Sequence, residues 1–141
     1  MRTIDETISV SPQISPADVT ELARAGFKTI VNNRPDEEEP GQPSGDAIRA
    51  VAETLGLSYH AIPVTHAGFS MPQVEAMRAA MDGAGGPVFA YCRSGTRSTN
   101  LWALAEASRG TDPETLVTKA AQAGYDLTGL RPMLDTLAGK A

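Results

Sequence analysis

The sequence predicts an α/β sandwich with a mainly parallel sheet, on three observations. Apolar runs of strand length alternate with helical periods as far as residue 92, and helical periods alone follow. Glycine and proline stand between these segments, where turns belong. The stretch Pro87–Ser98, PVFAYCRSGTRS, passes from an apolar strand through a polar loop holding Gly95 into a helix. At 141 residues, 41% hydrophobic and 21% charged, the chain is expected to form one soluble domain spanning residues 1–141.

Ile8-Ser9-Val10 is the first expected strand. Ser15 with Asp18 three residues later has the form of a capping box. Pro16 suits a first helical position, and Val19, Leu22 and Ala23 give that helix an apolar face ending at Gly26. Phe27–Val31 is the next strand. It runs into Asn32–Pro43, whose prolines and acids mark a loop leaving the carboxyl end of a parallel strand, where ligand crevices gather. Ile48, Val51, Ala52 and Leu55 recur at helical spacing before Gly56. Leu57–Val64 alternates as a strand, with Pro63 near its end. Ser70 and Gln73 repeat the capping-box pattern ahead of Val74, Met77 and Met81, and Gly83–Gly86 closes that helix. Beyond the loop helix, Asp112-Pro113-Glu114 opens a segment carrying Leu116, Val117 and Ala120. Leu130, Leu134 and Leu137 suggest a terminal helix, anchored by Tyr125 and Asp126.

Composition narrows the function. A net charge of −5 argues against a nucleic-acid partner, which needs a basic face. No apolar run approaches the ~20 residues of a membrane span, and Met1–Glu6 lacks an apolar signal core, so a cytoplasmic protein is expected. The single cysteine excludes an internal disulfide and a multi-cysteine metal site, and nothing calls for a cofactor or metal.

That cysteine, Cys92, ends the apolar strand. A strand-to-helix loop aims backbone N–H groups at one region, and the helix N-terminus adds partial positive charge. Together with Arg93 or Arg97, these donors favour the thiolate over the thiol and make Cys92 a candidate nucleophile beside an anion cradle. Arg97 in the first helical turn is electrostatically misplaced unless an anion partners it. Arg93 suits an oxyanion or solvent. Ser94, Thr96 and Ser98 can donate to the anion or serve as turn and cap residues.

Cys92-Arg93-Ser94-Gly95-Thr96-Arg97-Ser98 resembles the active-site loop of single-domain rhodanese sulfurtransferases. It is also similar to the cysteine-phosphatase loop with four rather than five residues between cysteine and arginine. Asn32–Glu38, Pro40–Pro43, Ile62-Pro63-Val64 and Ala123–Leu127 extend the resemblance over nearly the whole chain, to the bacterial family described as beta-lactamase hydrolase-like protein, phosphatase-like domain, also labelled a sulfur transferase family. The resemblance implies a three-layer, dual-specificity-phosphatase-like fold bearing a loop of rhodanese length. Family members can be fused to a metallo-hydrolase of the persulfide dioxygenase kind, which makes such an enzyme a conceivable partner.

Dual-specificity phosphatases place an aspartic general acid after the strand resembling Tyr59–Val64, and here the position holds Thr65 and His66. His66, Asp36 or Glu37 could substitute. Arg34 is expected to assist the site, and the run Asp36–Glu39 to be either a solvated loop or an orienting partner for Arg34 or Arg97. A shorter loop makes a smaller ring of donors, and sulfur transfer needs no acid when sulfite or a thiolate leaves. The leading expectation is therefore sulfur transfer from thiosulfate or a persulfide, through a Cys92 persulfide, to an external thiol acceptor. A phosphatase forming a cysteinyl-phosphate is the second expectation, and a non-catalytic anion or persulfide sensor the third.

Overall fold

The computed structural model describes residues 1–140. Five strands, β1 (Arg2–Asp5), β2 (Ile8–Ser11), β3 (Thr29–Asn32), β4 (Ser58–Ala61) and β5 (Val88–Tyr91), form one sheet in the order β1-β2-β5-β3-β4. All pairings are parallel except β1 with β2. The last strand is thus central, and its carboxyl end, where Cys92 follows, lies between the ends of β2 and β3.

Alternation along the central strands builds two cores. Val88 and Ala90 of β5, with Val31, Ile8 and Val10, face α3 (Met71–Asp82), α4 (Thr96–Ser108), α5 (Pro113–Gln122) and α6 (Arg131–Leu137). Phe89 and Tyr91, with Ile30, face α1 (Pro16–Arg24) and α2 (Gly45–Thr54). Two covered faces give the expected three layers. They also explain why β5 is apolar throughout rather than alternating. α4 is the most enclosed helix, burying Leu101, Trp102, Leu104 and three alanines beneath its neighbours.

Both expected capping boxes form, Ser15 with Asp18 and Ser70 with Gln73. Three elements differ from expectation. β1 was not anticipated: Arg2–Asp5 carries one buried residue, Ile4, and a turn at Glu6-Thr7 folds it against β2. Leu57–Val64 contributes only four residues of strand, at an exposed edge, because β4 has a neighbour on one side alone and Pro63 cannot extend the ladder. Leu55 lies past the last turn of α2 and is 41% exposed, so the period that ended the expected helix overran it by one position.

Candidate active site

The site begins as a continuation of the sheet. Asn33 N–H donates to the Tyr91 carbonyl at 2.8 Å and Cys92 N–H to the Ser11 carbonyl at 3.3 Å, so the chain stays in register with both neighbours up to the cysteine. It then turns out through Arg93-Ser94-Gly95. Gly95 has φ 91° and caps α4, a left-handed conformation that a residue with Cβ adopts only under strain. Its N–H donates to Cys92 Sγ at 3.0 Å, and its carbonyl accepts from the N–H and Oγ1 of Thr99 at 3.0 and 2.8 Å. The sulfur is buried. Among the described residues, the backbone N–H groups of Arg93, Ser94, Arg97 and Ser98 find no acceptor, which leaves four donors around the loop and at the positive end of α4.

Around that loop lies an arginine–glutamate network. Glu38 accepts from Arg97 Nη1 and Nη2, both at 2.7 Å, and from Arg34 Nε at 2.9 Å. Arg97 Nη1 also donates to the Val64 carbonyl at 2.7 Å. Two of the five guanidinium hydrogens of Arg97, one on Nε and one on Nη2, are outside these bonds. The paired donors hold the Glu38 carboxyl down to about 2, Arg97 contributing most. Arg97 is correspondingly raised, by Glu38 first and to a smaller degree by the nearby Cys92. Glu39 accepts from Arg34 Nη2 at 3.1 Å and approaches Arg93 at 3.7 Å.

The expected residues are not all gathered. Cys92, Arg93, Ser94, Gly95, Thr96, Arg97 and Ser98 form the loop, and His66 joins Glu38, Arg93 and Arg97 in lining an open cavity of about 300 Å³. Asp36 does not reach it. Its carboxylate accepts from Gly45 N–H at 2.8 Å at the start of α2 and faces a separate cavity with Tyr59 and Arg49, so its position argues against an acid–base role at Cys92. Arg34 is not open to an anion either. It is 2% exposed and committed to Glu38, Glu39 and Gln13, so it holds the acidic loop in place. Ser94 Oγ is turned to Thr96, whereas Ser98 Oγ is buried without a partner. Tyr125, expected to anchor the last helix, packs against the core cluster that holds Leu134 and also sends its hydroxyl to the Ser94 carbonyl at 3.2 Å. Glu38, the centre of the network, was visible in the sequence only as one of four consecutive acids. The run was expected to orient Arg34 or Arg97, and the structure singles out Glu38 as the acid that does so, 59 residues from Arg97. A separate cavity of about 460 Å³ opens beside Gly86-Pro87 at the opposite end of β5, and two of its three acids, Asp82 and Glu106, are paired with Arg109.

A central parallel strand ending in a cysteine, a tight glycine loop and an arginine in the first turn of the next helix define a protein of the cysteine-phosphatase fold class. Human DUSP28 shares that fold with TM-score 0.71 at 19% identity, over 99% of this chain and 96% of its own. The chain belongs to the family described as beta-lactamase hydrolase-like protein, phosphatase-like domain, whose model matches residues 1–109. It is similar to a beta-lactamase hydrolase-like protein of Agrobacterium fabrum, 40% identical over 107 residues, covering 76% of this chain and 25% of the relative. The chain thus matches about a quarter of the length of such curated relatives. A candidate phosphatase of Neisseria meningitidis, known as a crystal structure, is 37% identical with TM-score 0.82, and the match covers 96% of each chain.

Proposed function

We propose that the protein hydrolyses phosphoric monoesters through a cysteinyl-phosphate on Cys92. The observation that carries this reading is the ring of donors. The Cys92 sulfur takes the Gly95 N–H, four further N–H groups are unpartnered, and Arg97 keeps one Nε and one Nη2 hydrogen on adjacent nitrogens, a spacing that matches two oxygens of a phosphoryl group. The 37% identity to the Neisseria candidate phosphatase supports it over sulfur transfer. The thiolate attacks phosphorus, the P–O bond to the alcohol breaks, and the imidazolium of His66 gives its proton to the leaving oxygen. Water then attacks the thiophosphate, His66 takes back a proton, and inorganic phosphate leaves with Cys92 restored. Turnover of an aryl phosphate should vanish in Cys92→Ser and fall roughly 10²-fold in kcat in His66→Ala. A wild-type protein inert toward aryl phosphates would defeat the reading.

Sulfur transfer is the second reading, favoured by the four-residue spacing between Cys92 and Arg97 and by the absence, in the described lining of the cavity shared by His66, Arg93 and Arg97, of a carboxylic acid other than Glu38, which is ionised and committed to two arginines. Intact mass separates the two. Thiosulfate or glutathione persulfide would leave one added sulfur on Cys92, to be passed to an external thiol, whereas an aryl phosphate would leave one phosphoryl group. Retention of sulfur by Cys92→Ser would exclude the persulfide route.

A further inference from the structure

Tyr125 lies outside residues 1–109 matched by the family model, and the chemistry above does not use it. Its placement is nonetheless tightly specified. α5 ends in a Schellman motif: Gly124, at φ 96°, donates to the Ala121 carbonyl at 3.0 Å, and Tyr125 N–H donates to the Ala120 carbonyl at 2.8 Å. Arg2 of β1 holds the same turn, with Nη1 donating to the Ala123 carbonyl at 3.0 Å and its guanidinium lying where a Cβ on Gly124 would be. The turn delivers the tyrosine ring to the outside of the cysteine loop, so close that a Cβ on Gly95 would collide with its hydroxyl.

The hydroxyl donates to the Ser94 carbonyl at 3.2 Å. The Ser94 carbonyl and the Gly95 N–H belong to one planar trans peptide and point in opposite directions. Holding the oxygen outward therefore holds the N–H inward, where it meets Cys92 Sγ at 3.0 Å. If that peptide turned over, a carbonyl oxygen would face the sulfur and repel the thiolate. Glycine at position 95 makes such a turnover sterically cheap, so the restraint has to come from outside the loop. We propose that Tyr125 is a positioning residue that locks the Ser94–Gly95 peptide with its N–H on the Cys92 sulfur. This rests on Cys92 being the reacting atom, whichever group it receives. Burial raises the phenol above its ordinary value, which keeps it a donor through neutral pH.

The charged groups near the sulfur are Arg97 on α4 and Arg93 in the loop, with His66 across the cavity. Glu38 acts through Arg97, and Arg2 lies beneath Tyr125. Tyr125→Phe leaves all of these in place and keeps the ring, so it isolates the hydroxyl. Because Cys92 is the only cysteine, its ¹³Cβ resonance can be titrated without ambiguity. The midpoint should rise by roughly half to one pH unit in Tyr125→Phe, a three- to tenfold loss of thiolate below it, and the Gly95 amide proton should move upfield. Arg2→Met, which loosens the turn without touching the loop, should shift the midpoint in the same direction by less, and it serves as the test if the phenylalanine variant does not fold. An unchanged midpoint and an unchanged Gly95 amide in a folded variant would overturn the proposal. No substrate is involved, so failure to hydrolyse aryl phosphates would leave this result standing.

Discussion

Replacing Glu38 by glutamine removes a negative charge from between two guanidinium groups and changes almost nothing in shape. The carboxylate receives three hydrogen bonds from Arg34 and Arg97, and its side chain is 18% exposed. A carboxyl held at about 2 against an ordinary 4.5 represents roughly 3 kcal/mol of stability at neutral pH. Glutamine keeps one acceptor oxygen, while Arg34, whose side chain is 1% exposed, retains Glu39 as a charged partner. The expected loss is therefore about 2–3 kcal/mol, at or just below the lower bound of what breaking a fully buried pair costs, as suits a partly exposed carboxylate. At this chain length that lowers Tm by on the order of 10 °C. The acid limb gives an independent check. Because the folded value lies below the ordinary one, the contribution is complete above pH 4.5 and is lost as the pH falls toward 2. Glu38→Gln has no carboxyl there to titrate, so its stability should decline less steeply than that of the wild type across this window. Urea denaturation at pH 7 and at several values between 4.5 and 2 measures both effects. A change below about 0.5 kcal/mol at pH 7, with acid limbs that superimpose, would refute the view that one carboxylate holds both arginines.

Gly95→Ala must adopt a left-handed backbone and displace Tyr125, so it should cost about 1–3 kcal/mol in chemical denaturation and abolish covalent modification of Cys92. Asp36→Ala should lower stability by about 1 kcal/mol through loss of its bond to Gly45 at the start of α2, and leave kcat unchanged; a large fall in kcat would return Asp36 to the chemistry. Met77→Ala empties a fully buried position between α3 and the sheet and should cost about 2–5 kcal/mol by thermal or urea unfolding, without changing the pH dependence of turnover.

The fold was legible where local chemistry and burial agree. Ser15–Asp18 and Ser70–Gln73 mark helix starts by bonds made within four residues, and Val88–Tyr91 reads as a central strand because both its faces are covered. β1 was not legible, since an edge strand folded back on its neighbour buries a single residue and carries no period. At the site, the loop from Cys92 to Ser98 could be recognised because its glycine, its arginine and the helix start are contiguous. Glu38 and Tyr125 could not be singled out. Their roles arise from contacts with residues 59 and 31 positions away, and neither an acid among acids nor a tyrosine after a helix-ending glycine points to its partner. Asp36 was misplaced for the same reason: the sequence puts it in the right loop but does not give the direction in which it turns, whereas Arg34 assists the site as expected, through Glu38 rather than by meeting an anion itself.

The bond from Tyr125 to Ser94 also orders events during synthesis. Cys92, both arginines and Glu38 leave the ribosome before Tyr125, and Arg2, the earliest of all, has nothing to grip until Ala123 arrives. The nascent domain therefore carries Cys92 for a time in a loop that is not yet clamped, because the tyrosine that reaches the Ser94 carbonyl is made after it.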